Sequence, residues 1–100
     1  MITFLLAALL AQANPAPAPA AVVHMHNFAF VPATIHVKAG DVVEWINDDD
    51  DAHTIDAADK TFHSGGLDSH ETFTHAFKST GSFAYFCALH PYMKGLVIVK

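Results

Sequence analysis

"ETFTHAFKSTGSFAYFC", Glu71 to Cys87, alternates apolar and polar residues on both sides of a short polar break. Phe73, His75 and Phe77 fall on one face of the first half, and Phe83, Tyr85 and Cys87 on one face of the second. A period of two puts successive side chains on opposite sides of a pleated ribbon, so the stretch reads as two strands joined by a turn at Ser79 to Gly81. Upstream, "TIHVKAGDVVEWIN" has the same form: a strand, a turn at Ala39-Gly40-Asp41, and a second strand with Val43, Trp45 and Asn47 on one face. "AVVHMHNFAF", Ala21 to Phe30, is rich in strand formers until Pro32 breaks the run, and "GLVIVK" closes the chain as a strand. No segment carries a sustained helical stripe, and no repeat is visible. Seven or so strands within about 80 residues predict an all-β chain, folded as a single-domain antiparallel β-sandwich with Greek-key connections. Residues 56–68, "DAADKTFHSGGLD", follow no period and are assigned no element.

One hundred residues hold one domain, which excludes separate substrate and catalytic domains. With 52% hydrophobic and 15% charged residues, the chain has enough apolar material for a packed core. Part of it lies in Met1–Ala13, an apolar run ending in the small-x-small pattern Ala11-Gln12-Ala13, which reads as a cleavable export signal. No Lys or Arg precedes its apolar part, and the run is shorter than the roughly 20 residues a membrane-spanning helix needs. "NPAPAPA", residues 14–20, alternates proline with small residues and reads as an extended tether. The domain proper is then 21–100.

Formal net charge is −5, and all ten acidic residues lie between Asp41 and Glu71. No basic patch suits a nucleic acid. Asp48 to Asp51, "DDDD", reads as a solvated loop rather than a docking patch for a basic partner.

The chain has one cysteine, in "CALHPYMKG", Cys87 to Gly95. An exported protein cannot make an internal disulfide with one thiol, which leaves the roles of buried spectator, nucleophile or metal ligand. Cys87, His90 and Met93 follow a C-x-x-H-x-x-M spacing on a loop between strands, where three side chains can converge. Thiolate, imidazole and thioether are soft donors, which select copper over calcium, magnesium or manganese. His53, just past the strand ending at Asn47, is the best candidate for a fourth ligand. Two imidazoles, a thiolate and a weak axial thioether form the blue-copper electron-transfer site.

On "FVPATIHVKAGDVVEWIN", the distant His53 and "GSFAYFCALHPYMKGLVIVK", the chain from about Val22 to Lys100 resembles the cupredoxins, the blue copper proteins of the plastocyanin and amicyanin type. The short Cys-x-x-His-x-x-Met loop is most similar to amicyanin. The resemblance implies one copper per chain held by His53, Cys87, His90 and Met93. It also implies a non-enzymatic, periplasmic one-electron carrier cycling Cu(II)/Cu(I), soluble and monomeric. Redox protein partners would then dock at the exposed edge of His90, amid Leu89, Pro91 and Pro32. The equivalent His of reduced short-loop relatives takes a proton and leaves copper, so the resemblance implies a potential that rises as pH falls. The sequence departs from the pattern behind the ligands. The first His is usually followed by Asn, tied to a Ser or Thr after the Cys; here those residues are Thr54 and Ala88, so both ends of the tie are changed. The Thr54 backbone N–H remains available to the Cys87 sulfur.

Three other functions fit less of the chain: a periplasmic copper carrier or scavenger, a cysteine hydrolase, and a structural sandwich. The first would use the same donors, with His24 and His26 of the H-M-H triplet as a second copper site, although paired strand histidines more often face solvent. A hydrolase would need an oxyanion-binding signature that the loop lacks. His75 reads as core-facing, His36 as strand surface, and His63 and His70 carry no assignment. Trp45 and Phe28, Phe30, Phe73, Phe77 and Phe83 are core candidates, and Phe86 faces away from the site by alternation.

Overall fold

The computed structural model describes residues 18–100. The expected signal, Met1–Ala13, and residues 14–17 of the expected tether lie outside the described residues. Eight strands follow in order: β1 (Ala21–His26), β2 (Ala29–Val31), β3 (Thr34–Val37), β4 (Asp41–Asn47), β5 (Asp56–Ala57), β6 (Thr72–Phe77), β7 (Gly81–Phe86) and β8 (Lys94–Val99). They form two four-stranded sheets, β2-β1-β4-β6 and β3-β8-β7-β5. The all-β sandwich expected from the alternation is present.

Its strand directions are mixed rather than uniformly antiparallel. β1 runs parallel to β4, and β3 parallel to β8. Alternation fixes which face a residue occupies and carries no information about the partner's direction. Here the chain leaves the first sheet for β3 and returns for β4, a crossover that restores the direction of β1.

Inward residues of both sheets meet in one core around Trp45, whose ring lies edge-on to Tyr85 at 5.5 Å and tilted against Phe73 at 5.7 Å. Contacts of this kind add about 0.5–1.5 kcal/mol each beyond area burial. Phe30 and Phe77 are buried as expected, whereas Phe28, Phe73 and Phe83 are only partly buried against the core. The unassigned stretch 56–68 supplies the short strand β5 and the buried Phe62 and Leu67, side chains whose spacing shows no period because only Asp56–Ala57 of the segment form a strand.

The turn before β4 takes its shape from Gly40, at φ 94°, while the N–H of Asp41 donates to the Lys38 carbonyl. A left-handed residue at this point is what a glycine supplies without steric cost. At Gly95 the requirement is spatial: a Cβ there would overlap the ring of Tyr85, its cross-strand partner. This close approach seats β8 against β7, the strand that leads into Cys87.

The stretch 21–30 is interrupted. Asn27 and Phe28 both take positive φ, 51° and 57°, and form a two-residue hairpin turn between β1 and β2. Asn tolerates this conformation; Phe ordinarily does not. The compensation comes from Asp49, whose carboxylate accepts the N–H groups of Asn27 (2.8 Å) and Phe28 (2.9 Å).

Candidate metal centre

Cys87 follows the last residue of β7 and is fully buried, facing inward in step with Tyr85. Its loop is stitched shut by its own backbone: Cys87 N–H donates to the Met93 carbonyl (3.1 Å), Met93 N–H to the His90 carbonyl (2.9 Å) and His90 N–H to the Cys87 carbonyl (3.3 Å). The C-x-x-H-x-x-M spacing is thus the spacing of a tight turn that presents residues 87, 90 and 93 together. Met93 is buried, and His90 is half-buried.

His53 reaches the same place from the other sheet. Asn47, fully buried at the end of β4, donates through Nδ2 to the carbonyls of Asp51 (2.8 Å) and Leu67 (3.0 Å), and its Oδ1 accepts the Asp49 N–H (2.9 Å). These bonds fold the acidic loop back over the sheet end. His53 then pairs with Leu67 through two backbone hydrogen bonds of 3.0 and 2.8 Å.

The donor atoms converge. Cys87 Sγ lies 3.8 Å from Nδ1 of His53 and 3.8 Å from Nδ1 of His90. Ligand atoms of all three residues fall within 4.8 Å of one another. Metal–nitrogen and metal–sulfur bonds of about 2.0 and 2.3 Å at trigonal angles separate N from S by roughly 3.7 Å, so the cluster has the size that one first-row ion requires. A thiolate with two imidazoles matches copper or zinc by ligand softness, and a neighbouring thioether favours copper.

The "DDDD" loop is not simply solvated. Asp49 Oδ2 lies 2.8 Å from His53 Nε2. A carboxylate only accepts, so in the neutral ring Nε2 carries the proton and Nδ1 presents its lone pair toward Cys87. Burial pushes the Asp49 carboxyl upward in pKa, but the N–H of Phe28, the His53 ring and the N–H of Asn27 outweigh it and hold the group below the usual aspartate value. Nothing in a run of four aspartates distinguishes the one that turns inward.

Phe28, partly buried against the core, also packs edge-on against both imidazoles, at 5.4 Å from His53 and 4.9 Å from His90. Its strained backbone places it there, and no periodicity reveals a side chain at a hairpin tip. Tyr92, 68% exposed, lies 6.2 Å from the His90 ring and was likewise invisible to pattern.

Behind the cluster, Thr54 N–H donates to Cys87 Sγ at 3.3 Å, as expected. The changed tie is rebuilt differently. The Thr54 hydroxyl oxygen accepts the backbone N–H of Ala88 at 2.8 Å, so a main-chain donor serves where a side chain is missing.

His24 and His26 are exposed on β1, and His24 Nδ1 lies 2.7 Å from Asp48 Oδ2. Among the described residues neither belongs to a cluster of three metal-binding side chains. His36 is exposed on β3 as expected. His75 is half-buried and stacks on Phe62 at 4.7 Å.

A β-sandwich carrying a buried N₂S donor cluster at one end defines a small mononuclear metalloprotein of the copper-binding class. Comparison with known proteins agrees: the family model of the cupredoxin-like domain matches residues 1–99, and the chain belongs to that family. It is 30% identical to amicyanin-alpha of Methylorubrum extorquens over 96% of this chain and 85% of the relative. A structure of the Cu(I) form of an amicyanin mutant is similar at a TM-score of 0.78 and 26% identity, covering 86% of this chain and 87% of the other. A Cu-containing nitrite reductase from Thermus scotoductus reaches the same TM-score at 28% identity, covering 85% of this chain but 23% of the enzyme. The fold therefore serves both small proteins and parts of large enzymes.

Proposed function

We propose that the protein is a blue copper electron carrier, with one copper held by His53, Cys87, His90 and Met93. The observation that carries this reading is the equal 3.8 Å separation of Cys87 Sγ from the two imidazole Nδ1 atoms, inside a loop closed by its own backbone. When bound, copper supplies a one-electron couple between Cu(II) and Cu(I). The chain's part is to keep the donors still. Asp49 fixes the tautomer and orientation of His53, Phe28 wedges both imidazoles, and the closed loop fixes residues 87, 90 and 93. A site that moves little between the two charges transfers electrons with little reorganisation.

His90 is the half-exposed ligand, and Leu89 (56% exposed), Pro91 and Tyr92 present apolar surface on its loop. Such a surface suits brief docking of redox protein partners to a monomeric carrier. Cys87 is fully buried between two imidazoles, which leaves no room for a substrate carbonyl and argues against a thiol hydrolase. Among the described residues no helix is long and apolar enough to cross a membrane. The apolar run Met1–Ala13 and the proline-rich 14–20 support export of domain 21–100 to the periplasm.

Voltammetry of the copper-loaded protein tests the reading. One reversible one-electron couple per chain is expected. An irreversible response, or uptake of two coppers per chain without such a couple, would favour a copper carrier instead.

A further inference from the structure

Thr54 Oγ1 has one proton and three polar neighbours. Asp56 Oδ2 is 2.6 Å away, the Ala88 nitrogen 2.8 Å, and Cys87 Sγ 4.0 Å. The Ala88 N–H is itself a donor, so it occupies a lone pair of the hydroxyl. A carboxylate accepts only, and 2.6 Å is the length of a charge-assisted O–H···O⁻ bond. The hydroxyl proton is therefore committed to Asp56, and the oxygen shows the sulfur a lone pair. Asp56 is held in turn: its other oxygen, Oδ1, lies 2.7 Å from His63 Nδ1, and its backbone pairs with both Phe86 and His63. None of these three side chains is a ligand.

We propose that Asp56, steadied by His63, is a positioning residue that turns the Thr54 hydroxyl proton away from the Cys87 sulfur and so holds the reduction potential down; this rests on the blue-copper reading above. Hydrogen bonds to a metal-bound sulfur tune its potential. A thiolate keeps more negative charge on sulfur when the metal is reduced, so each added donor favours Cu(I). The present arrangement gives the sulfur the Thr54 N–H and withholds the hydroxyl one atom row away. Removing the carboxylate frees the hydroxyl to rotate toward sulfur while its oxygen still accepts the Ala88 N–H.

A double-mutant cycle separates this latch from simple loss of a negative charge. In the wild-type background, Asp56→Ala is expected to shift the Cu(II)/Cu(I) equilibrium toward Cu(I) by roughly tenfold, about 59 mV for one electron, and to move the thiolate-to-copper band. In a Thr54→Val background, which has no hydroxyl to release, the same substitution is expected to give a clearly smaller shift. Equal shifts in both backgrounds, or none in either, overturn the proposal. Metal-free protein gives an independent readout. The Thr54 hydroxyl proton should exchange slowly enough to be observed by NMR in the wild type and be lost in Asp56→Ala; a proton equally visible in both overturns the latch even if the protein binds no copper. Absence of a blue copper site in every variant, with the NMR contrast intact, would count against the functional reading and leave the latch standing.

Discussion

Asp49 Oδ2 lies 2.8 Å from His53 Nε2, and the same carboxylate receives the N–H groups of Asn27 and Phe28. One side chain thereby sets the tautomer of a ligand and pins the hairpin that packs on it. Asp49→Ala should weaken copper affinity by about 10–100-fold, the usual cost of losing a partner behind a ligand, and raise the reduction potential by removing an anion. It should also destabilise the metal-free fold by about 1–3 kcal/mol through the orphaned N–H groups. Copper titration and urea denaturation check both; unchanged values would mean that Asp49 is an ordinary loop carboxylate.

Phe28 occupies a left-handed conformation that costs an L-residue roughly 1–2 kcal/mol, yet its ring contacts both imidazoles. Phe28→Ala is expected to keep copper binding but free the His90 ring, seen as broadened or averaged imidazole signals in NMR of the metal-free protein. An equally rigid His90 in the variant would remove the wedge from the account.

At Gly95 the constraint is mechanical. Gly95→Ala drives a methyl group into the Tyr85 ring, so either β8 shifts or the core opens. We expect a loss of about 1–3 kcal/mol, as for other overpacked sites, measured by denaturant unfolding. A neutral substitution would show that the β7–β8 spacing is slack.

His75 stacks on Phe62, and burial lowers its pKa below the usual histidine value. The unfolded chain therefore binds a proton at a higher pH than the folded one. Stability from this group is present above the ordinary histidine pKa and is lost as pH falls through the lowered one. Thermal midpoints of wild type and His75→Gln should converge on moving from neutral to mildly acidic pH, with the wild type losing more. Parallel curves would contradict the assignment.

Much of this was legible in the chain because each signal was local. Alternation around Ser79–Gly81 fixed the faces of Phe73, Phe77, Tyr85 and Cys87, and the C-x-x-H-x-x-M spacing announced a closed turn. His53 was found as the histidine just past a strand end. What escaped detection depends on distant partners. The parallel pairing of β1 with β4 follows from a crossover, the inward turn of Asp49 among four aspartates from Asn47, and the contact of Phe28 with both imidazoles from a strained hairpin. The tie behind Cys87 seemed altered at both ends because a side-chain pattern cannot show that the Ala88 backbone N–H takes over one of them.

In the proposed function Cys87, His53 and His90 close on a single copper ion, with the sulfur as a thiolate ligand. The visible spectrum of Cu(II)-loaded wild type beside Cys87→Ser tests it most directly. An intense blue thiolate-to-copper band in the wild type, absent from a folded Cys87→Ser protein, is the predicted result. A colourless wild-type protein, or the same colour in both, would contradict it.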